Sequence, residues 1–274
     1  MRRQKRRGMA AALCASAVFV SLGMGIAAWR MQNGHALTIE VVSPGVPVQA
    51  AAVHAADAPT VLIYHTHTWE AYEMTDDAVY TPTETWRTKD DAHNMVRVGE
   101  ALADELRARG FVVTHEKTAF EPPNLSAAYT RSLTMLEKRL AAGECYDYIF
   151  DVHRDAYSGL VDGANSVMQD GTPVAYVMML VGKGTGETGS GFDERPDWPK
   201  NLELAQAITD AMNGEVSGVA KAVKIKSGRF NQHVSQAALL IEVGNNRNTL
   251  SEALAACPVI AEGIAAVHKA RAEL

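Results

Sequence analysis

Three separated stretches carry side chains able to do hydrolytic chemistry. Val61–Glu70 runs from an apolar Val-Leu-Ile-Tyr into His65, His67 and Glu70. Tyr148–Asp155 ends in His153, Arg154 and Asp155, and Ala238–Asn245 carries Glu242. Imidazole and carboxylate are the donors of a hydrolytic zinc site, which takes three protein ligands, leaves one position for water and keeps a carboxylate nearby to move protons. His65, Glu70 and His153 supply that ligand set. Glu242 is then the general base toward water and afterwards the acid toward the leaving amine. If the first strand continues beyond His65, His67 falls on the same side and can replace Glu70 as ligand. Asp155 is a candidate to orient a ligand histidine, and Arg154 to stabilise the oxyanion formed when water adds to an amide carbonyl. The chain has no HExxH, so local spacing alone does not declare a metal site.

Such a site needs elements that bring distant strand ends together. From Val61 onward, apolar strand-like runs alternate with amphipathic stretches. A helix is expected over about 92–109 with Met95, Val98, Leu102 and Leu106 on one face, and another over 126–142 striped by Tyr129, Leu133, Leu136 and Leu140. Strands are expected at 111–115, 148–152, 174–181, 222–226 and 238–243. Asn201 is read as the cap of a third helix, and Thr249-Leu-Ser-Glu252 as a capping box opening a fourth. This pattern predicts an α/β domain with a mostly parallel twisted sheet flanked by helices. Ligands of such sheets bind at the carboxyl ends of the strands, where all three stretches would deliver their side chains.

The N-terminus is built differently. Arg2, Arg3, Lys5, Arg6 and Arg7 precede 22 uncharged residues, Gly8 to Trp29. At about 1.5 Å per residue that run spans a hydrocarbon core of roughly 30 Å. The expected organisation is a basic cytoplasmic segment over 1–7, a single transmembrane anchor over 8–29, a Pro- and Ala-rich linker over 30–58, and one extracytoplasmic domain over 59–274. The net charge of −6 becomes −11 once the five leading basic residues are set aside, leaving 21 Lys and Arg against 32 Asp and Glu. So acidic an ectodomain is a poor nucleic-acid ligand. Cys145 and Cys257 have no CxxC spacing and are read as small core residues, with a bridge between them left open.

Several further positions have two readings. Asn94 and Arg97 open the first long helix and either line a cleft or cap the helix. Asn231 and Gln232 precede the last strand, as substrate contacts or as part of a polar loop. Gly182–Gly191 lacks the context of a nucleotide loop and reads as a flap or a turn.

Taken in order, His65-Thr-His67-Thr-Xaa-Glu70-Xaa-Tyr72, Asn94-Xaa-Val96-Xaa-Val98-Gly99, Tyr129-Xaa-Arg131-Ser132, Asp151-Xaa-His153-Arg154-Asp155-Ala156, Phe230-Asn231-Gln232 and Leu240-Ile241-Glu242-Val243-Gly244-Asn245 resemble the motif series of the stage II sporulation protein P family. The resemblance runs from about Val61 to Ala266. It implies a membrane-anchored, zinc-dependent peptidoglycan hydrolase with a fold similar to amidase 3 type N-acetylmuramoyl-L-alanine amidases. Such enzymes cleave the amide between muramic acid and the stem peptide, and some also act as endopeptidases on cross-links. It further implies work beside stage II sporulation proteins D and M during engulfment. On this resemblance His65 and His153 match metal ligands, Glu242 matches the catalytic glutamate, and Glu70 is the third ligand with His67 as the alternative. Trp69 stands where relatives often carry a small polar residue, a change that bears on substrate shape.

Overall fold

The apolar runs and amphipathic stretches assemble into a sheet covered on both faces. In this computed structural model, which describes residues 58–156, 165–184 and 197–273, the order is β1 (Thr60–Tyr64), α1 (Met95–Ala108), β2 (Val112–His115), α2 (Ala128–Ala141), β3 (Tyr148–Asp155), β4 (Ser166–Gln169), β5 (Thr172–Ala175), β6 (Val177–Gly182), α3 (Trp198–Glu215), β7 (Ala220–Lys226), β8 (Ala238–Asn245) and α4 (Leu250–Ala272). The expected basic segment, the anchor over 8–29, nearly all of the 30–58 linker and most of the Gly-rich loop lie outside the described residues.

The six-stranded sheet has the order β2-β1-β3-β8-β6-β7. Strands β2, β1, β3 and β8 are mutually parallel. β6 is inverted against β8, and β7 follows β6 in parallel. The fold is therefore α/β with a mostly parallel sheet. Period-2 alternation sorts its side chains into two cores. Val61 and Ile63 of β1 join Phe150, Val152, Leu239 and Ile241 under α1, α3 and α4, whereas Leu62 and Tyr64 pack with Ile149 against α2.

The helices follow from their stripes and caps. α1 buries Met95, Val98, Leu102 and Leu106, and its cap is Asn94, whose side chain accepts the Val96 N–H. α4 opens on the capping box of Thr249 and Glu252. α4 is also the one described helix long and apolar enough to cross a membrane. Half of its most apolar stretch is buried inside the domain, however, and it packs against α1 and α3. An apolar helix is equally a core helix when its neighbours cover it.

Three expectations change. The apolar run 174–181 is two strands, because the chain leaves one sheet for the other at Tyr176. β5 pairs with β4 in a separate hairpin turned at Asp170-Gly171, both at positive φ. Helix α3 begins at Trp198 with a proline in its first turn, and Asn201 lies inside it, donating from Nδ2 to the carbonyls of Ser235 and Ala238. Cys257 is a buried core residue, but Cys145 is exposed, and both are free thiols.

One close approach matters to the site. A Cβ on Gly99 of α1 would lie 2.4 Å from His65 Nε2 and 2.6 Å from His115 Nε2. Both imidazoles are buried, so neither can swing into solvent. An alanine here gains roughly 1 kcal/mol of helix propensity but overpacks this contact by about 1–3 kcal/mol. Gly99→Ala is expected to lower the midpoint of urea unfolding, the clash outweighing the propensity. A raised midpoint would show that α1 has room to lift off β1.

Candidate metal centre

The parity of β1 decides where its terminal side chains go. His65 continues the face of Val61 and Ile63, so it points under α1 and is fully buried. Its Nδ1 donates to the Val152 carbonyl at 2.8 Å, and its Nε2 lies 2.9 Å from His115 Nε2. Burial, then the neighbouring His115, pushes its pKa down to about 3, so it is neutral. With both nitrogens occupied, His65 does not fit the ligand role expected of it. It is part of the packing between β1, β3 and α1.

The chain leaves strand geometry after Tyr64 and turns through Thr66 to Trp69. That turn delivers His67, not His65, to the α2 side of the sheet. The His67 ring sits 5.3 Å from the His153 ring and 5.5 Å from Tyr129, perpendicular to both. Tyr129, at the start of α2, lies nearly parallel to His153. Thr66 secures the turn by donating its N–H and hydroxyl to the two carboxylate oxygens of Asp151, at 2.8 and 2.7 Å.

His153 is the hub. Its Nδ1 faces Glu70 Oε2 at 3.4 Å, and its Nε2 lies 2.8 Å from Asp151 Oδ1. Asp151 and His153 are two apart on β3 and share a face, a signal that was present in the sequence. Asp155 does not take the orienting role expected of it: the strand register slips between His153 and Asp155, and Asp151 is the carboxylate at the ring. Glu242 is the register partner of His153 across β3 and β8, and is buried. Its Oε2 has no hydrogen-bond partner among the described residues, and neither has His67 Nδ1.

The electrostatics call for positive charge. Burial pushes Glu70 up, but its contacts with His153, Arg154 and His67 outweigh burial and hold it at about 2. Burial pulls His153 down, yet Asp151 and Glu70 outweigh it and raise the ring well above its ordinary value. Glu242 is pushed up to about 8, by burial first, with the His153 charge opposing and Glu70 and Asp155 adding to the rise. Two anionic carboxylates thus hold a proton on His153.

This chemistry fits a divalent cation. Neutral imidazole and carboxylate are zinc donors, and Glu70 and His153 already face each other at 3.4 Å. Among the described residues no three His, Cys, Asp or Glu side chains already close around one point. Glu70 and His153 form the facing pair, and the His67 ring lies 5.3 Å from the His153 ring.

The other expected site residues serve the scaffold. Arg154 is buried, and its guanidinium donates to the carbonyls of Ala71, Asp155 and Trp86, which removes it as an oxyanion donor. Its backbone N–H instead reaches Glu70 Oε2 at 3.3 Å. Asn94 caps α1. Asn231, in a left-handed conformation, donates to the Tyr129 carbonyl and Ser132 Oγ, and Gln232 bonds Leu180 and Gly182 across β6. Sequence reasoning missed Asp151, Tyr129 and Glu121 as neighbours of the histidines. For Glu121, in a loop, no local pattern points to it.

Fold and cluster together define an α/β domain whose parallel strands carry a histidine and carboxylate centre at their carboxyl edge. The family model for stage II sporulation protein P matches residues 34–265, and the chain belongs to that family. It is 26% identical over 207 residues to stage II sporulation protein P of Bacillus subtilis (strain 168), an alignment covering 72% of this chain and 48% of that one. The chain thus spans about half the length of the curated relative it matches. Among solved structures it is similar to N-acetylmuramoyl-L-alanine amidase from Clostridium difficile 630, with TM-score 0.44, 16% identity and coverage of 79% and 97% of the two chains. It is also similar to N-acetylmuramoyl-L-alanine amidase AmiC2 of Nostoc punctiforme, with TM-score 0.45, 12% identity and coverage of 79% and 98%.

Proposed function

We propose that this chain is a zinc-dependent peptidoglycan hydrolase acting in sporulation, with His67, Glu70 and His153 holding the metal and Glu242 transferring protons. The observation that carries this reading is the pairing of Glu70 with His153 at 3.4 Å, with His67 beside them and, next to them on β8, the buried carboxylate of Glu242, whose Oε2 has no hydrogen-bond partner among the described residues. Membership of the sporulation family supports it. The bond cut is the amide between N-acetylmuramic acid and L-alanine of the stem peptide. The uncharged run 8–29 anchors the domain outside the cell membrane, where stage II sporulation proteins D and M are its partners.

Bound zinc would supply Lewis acidity toward the attacking water and the amide carbonyl. The protein's own residues do the rest. Asp151 fixes the His153 ring, and the Arg154 N–H fixes Glu70. Glu242, as carboxylate, takes a proton from the water that adds to the carbonyl carbon. It then passes that proton to the amine nitrogen as the C–N bond breaks. Tyr129 packs edge-on against His67 and lies nearly parallel to His153, with the Phe230 ring 5.7 Å from its own.

The test is digestion of sacculi by the purified chain, followed by mass spectrometry. Release of stem peptides with a free L-alanine amine, abolished by chelator and restored by zinc, is the expected result. Products that keep peptide on muramic acid would reassign the bond to an endopeptidase. Undiminished digestion after exhaustive metal removal would end the zinc reading.

A further inference from the structure

One buried carboxylate next to the centre has no part in the proton transfers above. Glu121 lies in the loop between β2 and α2, and its side chain is 2% exposed. Three groups converge on it. Its Oε2 accepts the Trp69 N–H at 3.0 Å, its Oε1 is paired with Arg87 Nη2, and the same Oε1 lies 3.6 Å from His67 Nδ1. That Nδ1 is buried and has no hydrogen-bond partner among the described residues. Trp69 and Arg87 both adjoin Glu70: Trp69 precedes it in the chain, and Arg87 is bridged to it in antiparallel fashion.

We propose that Glu121 is a positioning residue for His67. Its Oε1, 3.6 Å from Nδ1, is the acceptor placed to take the Nδ1–H once the ring turns its other nitrogen to a metal, which would fix the tautomer and leave Nε2 as the donor atom, and through Trp69 and Arg87 it sets the segment that carries Glu70. The inference rests on the reading of His67 as a metal ligand. Its chemical ground is general: a ligand histidine donates its second N–H to an outer acceptor, which orients the ring and raises its basicity. On the other side of the centre Asp151 stands to His153 as Glu121 stands to His67. The two imidazoles thus have one buried carboxylate each, contributed by different parts of the chain.

Glu121→Gln separates this role from bracing. The amide keeps an oxygen for the Trp69 N–H but loses the anion that faces Arg87 and the imidazole. In chelator competition on the full chain, zinc affinity is expected to fall about 10- to 100-fold, the loss typical of removing such an outer partner. Glu121→Asp, one methylene shorter and still anionic, recovers part of it. The melting temperature of the metal-free chain is measured alongside. Unchanged zinc affinity in Glu121→Gln overturns the proposal. So does an affinity loss that Glu121→Asp fails to recover while the metal-free melting temperature drops, because the carboxylate is then a brace for Arg87. His67→Ala is the control. If it leaves zinc affinity intact, the ligand assignment is at fault; if it removes zinc while Glu121→Gln does not, only the positioning role fails.

Discussion

Glu242→Gln is expected to slow peptidoglycan hydrolysis by about 10²- to 10⁴-fold, the range for loss of a general acid–base, while zinc content stays unchanged. Glutamine is nearly isosteric and can neither take a proton from water nor give one to an amine. Glu242 pairs in register with His153 but makes no hydrogen bond through Oε2 among the described residues, so the substitution breaks no contact there. The same variant reads the burial of the carboxylate through pH. The pKa of Glu242 in the folded, metal-free chain is raised to about 8 from an ordinary value of 4.5. Folding therefore favours its protonated form. The stability linked to this group is fully present below pH 4.5, drains away as pH rises toward 8, and is flat above that. Urea unfolding of the metal-free chain between pH 5 and 8.5 should show wild type losing up to a few kcal/mol relative to Glu242→Gln. A difference that stays level across that range would place Glu242 in water. A Glu242→Gln protein with full hydrolysis would remove it from proton transfer.

The second large effect distinguishes two histidines that sit two residues apart. His67→Ala is expected to weaken zinc binding by more than about 100-fold, beyond what loss of an outer partner costs, because a ligand itself is gone. His65→Ala is expected to keep zinc within a few-fold and to lose stability instead, by about 2–4 kcal/mol. That loss combines an unfilled space beneath α1 with the unpaired Val152 carbonyl and His115. Metal analysis and chelator competition measure the first quantity, and denaturant unfolding the second. The reverse pattern, zinc lost with His65 and kept without His67, would mean that the first strand extends past Tyr64 in the working protein. Added zinc should also raise the melting temperature of wild type and His65→Ala, but not of His67→Ala, since a ligand that binds only the folded state stabilises it.

Much of this protein was legible in one dimension because its signals are local. The stripe Met95, Val98, Leu102, Leu106 makes α1 whatever it packs on, the Thr249–Glu252 box starts α4 unaided, and alternating strands and helices imply a parallel sheet with chemistry at its carboxyl edge. Glu70, His153 and Glu242, which the fold brings together at that edge, were singled out this way. Locality is also why the rest stayed hidden. The apolar run 174–181 looks like one strand because hydrophobicity does not record a change of sheet at Tyr176. Arg154 looks like an oxyanion donor until the carbonyls of Ala71 and Trp86, far off in sequence, claim its guanidinium.

Residue type and order thus settled what chemistry is on offer: imidazoles and carboxylates at the ends of apolar strands. Which of them meet depended on non-local geometry. The register of β3 against β8 sets Glu242 beside His153, and a turn ending β1 at Tyr64 sends His65 beneath α1 and His67 to Tyr129 on the opposite face. A strand's period of two makes every side chain's direction conditional on where the strand stops, and that stopping point is fixed by Asp151, bound to Thr66 across 85 residues of chain.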